Sequence, residues 1–194
     1  MKTGLFGGTF DPIHVGHLIV AETVRCDLSL DRILFVVAAV PYHKVRENLS
    51  PAFLRLEMVE LALEGYPLFT VSDVEVQRGG VSYTVETVRW FQDSEEWGKD
   101  ELYLLIGSDC LLELGMWKDP EEILNNIPTL VVERPGFDIK KAEQRFGKRV
   151  TGVQAPLIDI SSTEIRRRVR AGKSIKFWVP EKVEEYIMRK GLYR

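Results

Sequence analysis

Lys2-Thr3-Gly4-Leu5-Phe6-Gly7-Gly8-Thr9-Phe10-Asp11-Pro12-Ile13-His14-Val15-Gly16-His17 begins as a short apolar run, turns through two glycines and enters an amphipathic stretch. Lys2 to Phe6 suits a buried strand. From Gly16 onward, Leu18, Ala21, Val24 and Leu28 keep the three-to-four spacing of a helix that buries one face. Strand, glycine turn and helix in this order make the first half of a βα unit. Glycines let the main chain approach a ligand closely, and the N–H groups at the start of a helix favour an anion, so the junction reads as a phosphate site. His14 and His17, three apart around the helix start, bring both imidazoles to one side, where each can donate to phosphate oxygens. A tight turn with two satisfied cap histidines is the plainer alternative. The pair's spacing behind the loop favours phosphate.

Outward from this junction the same alternation recurs. Strands are expected at Lys2–Phe6, Arg32–Val37, Phe69–Val74, Leu102–Ile106, Thr129–Glu133 and Val150–Gln154. Helices are expected at Gly16–Asp27, Pro51–Glu64, Thr84–Gln92, Pro120–Asn125, Ser162–Ala171 and Pro180–Lys190. Alternating strands and helices predict an α/β fold with a parallel sheet. No repeat or Pro/Gly/Ser-rich linker interrupts the chain, so residues 1–194 are expected to form one domain. Ligands of such sheets bind past the carboxyl ends of the strands, where strand order reverses. The stretches Tyr42–Ser50 and Gln77–Ser82 are candidate lids.

Bulk properties exclude several roles. A formal net charge of -3 gives no general attraction to nucleic acid. The longest apolar run, Ile33 to Pro41, is far shorter than the roughly 20 residues of a membrane-spanning helix. The start of the chain lacks the layout of a secretory signal, so a cytoplasmic protein is expected. Cys26 and Cys110 show no metal-binding spacing and are expected to be buried thiols.

Other stretches carry chemistry-bearing residues just past expected strands. His43-Lys44 follows the second strand, where Lys44 could meet a polyphosphate as a point charge. Ser161 and Glu164 form a capping box that starts a helix, and Arg166 beside it can clamp phosphate with parallel hydrogen bonds. Asp109, in Gly107-Ser108-Asp109, can accept from ribose hydroxyls or simply cap a helix. Trp117 offers a flat face to a cationic ring, although a tryptophan at helical spacing is more often core. Ser82-Tyr83-Thr84 opens a helix, and Glu133-Arg134-Pro135-Gly136 follows another strand.

The stretch Gly7-Gly8-Thr9-Phe10-Asp11-Pro12-Ile13-His14-Val15-Gly16-His17 resembles the (T/H)xGH signature of the nucleotidyltransferase superfamily, specifically its bacterial nicotinate mononucleotide adenylyltransferases. The resemblance extends through His43-Lys44, Ser82-Tyr83-Thr84, Gly107-Ser108-Asp109, Trp117 and Ile160-Ser161-Ser162-Thr163-Glu164-Ile165-Arg166 to the closing helix. It implies a Rossmann-like, doubly wound parallel sheet with helices on both faces. It also implies transfer of AMP from ATP, with Mg²⁺ on the phosphates, to nicotinate mononucleotide. Implied for ATP are Gly7, Gly8, Thr9, Phe10, His14, His17, Gly107, Asp109, Ser162, Thr163 and Arg166; implied for the mononucleotide are His43, Lys44, Thr84, Asp109, Trp117 and Arg134. Catalysis would fall to His14, His17, Lys44 and Arg166, with no metal held by protein ligands. The chain departs from the family at Tyr42, where a proline is usual, and at Lys118, often a tyrosine. Phosphopantetheine adenylyltransferase, which usually has Thr in place of His14, and a nucleotide-binding module without turnover are the competing readings.

Overall fold

A computed structural model describes residues 1–42, 49–133, 144 and 146–194. His43, Lys44 and Arg134 lie outside the described residues, as does most of the Tyr42–Ser50 stretch. The first strand, β1 (Lys2–Gly8), leads into α1 (Val15–Asp27), followed by β2 (Arg32–Val37), β3 (Val40–Pro41), α2 (Ala52–Leu63) and β4 (Phe69–Ser72). Next come α3 (Val74–Arg78), β5 (Val81–Ser82), α4 (Thr84–Asp93), β6 (Glu101–Gly107), α5 (Ser108–Leu112) and α6 (Pro120–Asn126). The remaining elements are β7 (Thr129–Val132), β8 (Val150–Val153), α7 (Ser162–Arg170) and α8 (Glu181–Lys190).

Six strands form one sheet in the order β4-β2-β1-β6-β7-β8, and every neighbouring pair is parallel. The direction of winding reverses between β1 and β6, which opens a crevice above their carboxyl ends. Both faces of the sheet are apolar, and the strand alternation shows how they are covered. On β2, Ile33, Phe35 and Val37 enter a core with α1, α2, α7 and α8, represented by Ala21, Met58, Ile165 and Ile187. Leu34 and Val36 point the other way, to a second core with α4, α5 and α6, represented by Val88, Leu111 and Ile123. A strand buried on both faces must be continuously hydrophobic, which is why Ile33 to Val37 lacks the polar alternation of a half-exposed sheet.

Three expectations are corrected. The third strand stops at Ser72, and Val74 begins α3 instead. Much of the presumed lid Gln77–Ser82 is regular: it ends α3 and supplies β5, which pairs with β3. Cys26 is exposed and Cys110 is partly buried. Position 26 falls on the outer side of α1, where its Sγ donates to Glu22 Oε1 at 3.2 Å and accepts from Arg25 Nη2 at 3.1 Å.

Candidate active site

At the carboxyl end of β1, Gly7 is exposed, and a Cβ there would meet nothing within 4 Å. Gly8 is the reverse case, since a Cβ would come within 2.6 Å of the Phe10 ring. Phe10 turns inward with φ 47° and is 2% exposed, its ring edge-on to Phe6 at 5.7 Å. The turn therefore presents an open main-chain surface at Gly7 while Phe10 supports it from beneath.

His14 is the N-cap of α1, and its ring lies over that of His17 with centroids 3.7 Å apart. The His14 backbone N–H donates to His17 Nδ1 at 3.2 Å. An accepting Nδ1 places the proton of a neutral imidazole on Nε2, so His17 is set as a donor at the far side of its ring. Gly16 makes the arrangement possible: a Cβ there would lie 3.0 Å from His14 Nδ1. The Val15 N–H is not available to a ligand, because it donates to the Trp178 carbonyl at 3.0 Å. This helix start therefore offers fewer main-chain donors than the sequence suggests.

Helix α7 is laced onto the same turn from the far end of the sequence. Ser161 caps it as expected, its Oγ accepting from Glu164 N at 3.2 Å. Ser162 Oγ donates to the Pro12 carbonyl at 2.9 Å, and Arg166 Nη1 donates to the Asp11 carbonyl at 2.7 Å. Arg166 Nη2 also reaches Thr163 Oγ1 at 3.2 Å. The structure thus brings His14, His17, Ser162, Thr163 and Arg166 around one turn. Arg167, outside this group, pairs with Glu164 on the exposed face.

Gly107 ends β6 beside β1 and caps α5, placing Asp109 in the first turn of that helix. On the same side of the sheet, Trp117 packs with Tyr83 against the second core. Lys118 brings the two segments together: its Nζ lies 4.7 Å from the Tyr83 ring centroid and 2.6 Å from Glu86 Oε1. Thr84 follows Tyr83 as the first residue of α4. Tyr42, the departure noted above, rests its ring 5.1 Å from that of Tyr83. Ser82 Oγ accepts from Ala39 N at 2.9 Å, which holds the β3–β5 pair against the end of β2.

Two groups escaped the sequence reading. Arg55, 0% exposed, donates to the carbonyls of Ser50 at 2.9 Å, Thr9 at 2.7 Å and Ala39 at 2.7 Å. Burial lowers the value of its guanidinium, and the Asp11 carboxylate is the main charge opposing that shift. The signal was present: Arg55 shares the buried stripe of Met58, Val59, Ala62 and Leu63 on α2, an unusual place for a cation. The Asp11 carboxylate, 3% exposed, accepts from Tyr193 Oη at 2.7 Å and from Ser50 N at 3.3 Å. Its partners lie too far away in sequence for any local pattern to reveal them.

Residues 5–168 match the cytidylyltransferase-like family. Over 194 residues the chain is 45% identical to a protein of Salinibacter ruber named "Probable nicotinate-nucleotide adenylyltransferase", covering 100% of this chain and 98% of that one. A protein of the same name from Thermus thermophilus is 45% identical, with 100% of both chains covered. The Plasmodium falciparum nicotinic acid mononucleotide adenylyltransferase, solved in complex with NaAD, superposes with a TM-score of 0.82 at 19% identity, covering 100% of this chain and 98% of that one. That likeness carries the fold. Full-length identity at this level, on a doubly wound sheet with its histidine pair at the switch point, places the chain in the nicotinate-nucleotide adenylyltransferase family.

Proposed function

We propose that the protein transfers AMP from ATP to nicotinate mononucleotide, forming nicotinate adenine dinucleotide and pyrophosphate in NAD biosynthesis. The observation that carries this reading is the gathering of His14, His17 and Arg166 around the β1–α1 turn at the switch point of the sheet. The mononucleotide phosphate oxygen attacks the α-phosphorus of ATP, the new P–O bond forms opposite the bridging oxygen, and pyrophosphate leaves with the electron pair. No protein nucleophile takes part. Catalysis is the orienting of two anions and the stabilisation of charge that grows on the leaving group.

Gly7, Gly8 and Thr9 supply the main-chain surface for the triphosphate, and Phe10 shapes it from behind. His17 donates from Nε2 toward the phosphates, with His14 beside it. Ser162, Thr163 and Arg166 face the pyrophosphate portion, joined by Lys44. Asp109 and Gly107 receive the ribose side of the bound nucleotides. Trp117 stacks on the pyridine, Thr84 receives its carboxylate at the start of α4, and Arg134 with His43 holds the mononucleotide phosphate. Mg²⁺ is the expected metal, neutralising charge on the phosphates; because it keeps phosphate oxygens and waters as ligands, the chain contributes by holding the phosphates. A cytoplasmic setting belongs to the same reading, in keeping with the exposed thiol of Cys26.

The deciding experiment supplies the purified protein with ATP, Mg²⁺ and, in turn, nicotinate mononucleotide, nicotinamide mononucleotide and phosphopantetheine. Dinucleotide and pyrophosphate in equal amounts with the first substrate support the reading. ATP binding without product, or product only with phosphopantetheine, defeats it.

A further inference from the structure

Two phenols of the last helical segment make comparable hydrogen bonds to carboxylates. Tyr186 Oη donates to Glu57 Oε2 at 2.7 Å, joining α8 to α2. Tyr193 Oη donates to Asp11 Oδ1, also at 2.7 Å, and so reaches the turn between β1 and α1. Burial, reinforced in each case by the accepting carboxylate, holds both phenols far above the usual tyrosine range, so both remain donors at any working pH. Tyr193 lies just past Gly191, which ends α8 with φ 64°, and Tyr193 itself adopts φ 64°. A non-glycine residue pays for that backbone region, and the surrounding contacts must offset the cost.

What Tyr193 grips is the middle of the phosphate turn. Thr9 is held through its carbonyl by Arg55, Asp11 through its carbonyl by Arg166, and Pro12 through its carbonyl by Ser162. The carboxylate of Asp11 is the remaining handle, and Tyr193 and Ser50 N share it. Ser50 in turn gives its carbonyl to Arg55, which also binds Ala39 at the end of β2. The hydrogen bonds thus join the turn, the segment after β2 and the end of α8 into one connected network around Asp11 and Arg55.

We propose that Tyr193 is a positioning residue for the adenylyl-transfer site, acting through the Asp11 carboxylate to fix the β1–α1 turn in the geometry that receives the triphosphate. This rests on the function proposed above. Displacements of the order of 1 Å in groups that align reactants can cost up to about a hundredfold in rate, so losing one of several restraints on the turn is expected to cost about tenfold.

Tyr193→Phe and Tyr186→Phe form a matched pair, each keeping the ring and deleting one hydroxyl. Steady-state kinetics, run at a temperature well below the measured melting temperatures of both variants, should show kcat for Tyr193→Phe down about tenfold and KM for nicotinate mononucleotide within about twofold of wild type. Tyr186→Phe should lose thermal stability and keep its turnover. Amide hydrogen exchange in a peptide spanning residues 5–13 should quicken in Tyr193→Phe alone. The double variant Tyr193→Phe with Asp11→Asn should be no slower than Asp11→Asn, because Tyr193 acts on the turn through the Asp11 carboxylate that this variant already removes. Equal losses of melting temperature with unchanged kcat and unchanged exchange in both phenylalanine variants would overturn the proposal. If wild type forms no dinucleotide, the function proposed above fails while the exchange comparison still decides the role of Tyr193. If Asp11→Asn fails to fold, the two tyrosine variants decide alone.

Discussion

At the scale of single residues, the structure separates two jobs of His17 that the sequence merges. Its Nδ1 accepts from the His14 N–H and so shapes the helix start, while the proton of a neutral ring then sits on Nε2, the donor in the proposed function. Asparagine can place an oxygen near the Nδ1 position, and glutamine can place an amide N–H near Nε2. His17→Asn is therefore expected to keep the melting temperature while kcat falls about a hundredfold or more, and His17→Gln to retain more of the turnover. Equal kcat in the two variants, read from initial rates at saturating substrates, would show that the Nε2 donor is not what matters. Arg55 is a different case. Arg55→Met leaves the Thr9, Ala39 and Ser50 carbonyls without these donors and should cost about 3–5 kcal/mol, measured by urea unfolding at pH 7. Unchanged stability would mean water replaces all three hydrogen bonds. Trp117→Ala should raise KM for the mononucleotide with KM for ATP within about twofold, and the opposite pattern would move the pyridine elsewhere.

At the scale of elements, α7 combines a structural start with a contact to the site on adjacent serines. Ser161 Oγ caps the helix, whereas Ser162 Oγ donates to the Pro12 carbonyl across the turn. Ser161→Ala should cost about 1 kcal/mol of stability and leave KM for ATP unchanged. Ser162→Ala keeps the cap and should raise KM for ATP severalfold, with a smaller stability loss. Thermal melts alongside ATP titrations separate the two, and parallel changes in both variants would erase the distinction. This helix start was legible because capping depends on residues three apart. The strand at Arg32–Val37 was legible for a similar reason, since burial on both faces demands an unbroken apolar run. Arg55 was harder to read: its sequence signal is a cation on an apolar stripe, and its purpose depends on where the loops after β1 and β2 come to rest. The Asp11–Tyr193 pair was beyond reach, because contact across 182 positions comes from packing rather than local pattern. The exposed Cys26 shows the opposite limit, since composition says nothing about which side of α1 the thiol occupies.

At the scale of the whole molecule, the two rims of the sheet are built for different tasks. The carboxyl rim carries the turns around β1 and β6, while the amino rim is locked by ions. There Asp100, just before β6, accepts from Thr3 Oγ1 at 2.5 Å on β1, from Arg32 Nη2 at 2.8 Å on β2 and from the Met1 ammonium at 3.3 Å. Arg32 also lies 4.2 Å from the Trp97 ring centroid, tying the strand rim to the segment before β6. Burial alone would raise the Asp100 carboxyl, but the hydrogen bonds from Thr3, Arg32 and the Met1 ammonium outweigh it and hold the group below its ordinary value of 3.8. A carboxyl depressed on folding stabilises fully above its unfolded value, and that contribution is lost as pH falls through the folded value. Asp100→Asn should therefore lose about 1–3 kcal/mol at pH 7 relative to wild type, and the gap between the two proteins should close as pH drops below about 3.8. Because Asp100 sits at the rim opposite the turn, kcat at 25 °C should stay within about twofold of wild type. Urea unfolding of both proteins from pH 7 to pH 3, with initial rates at neutral pH, tests both statements. A stability gap independent of pH would mean that packing, rather than the carboxylate charge, holds this rim together.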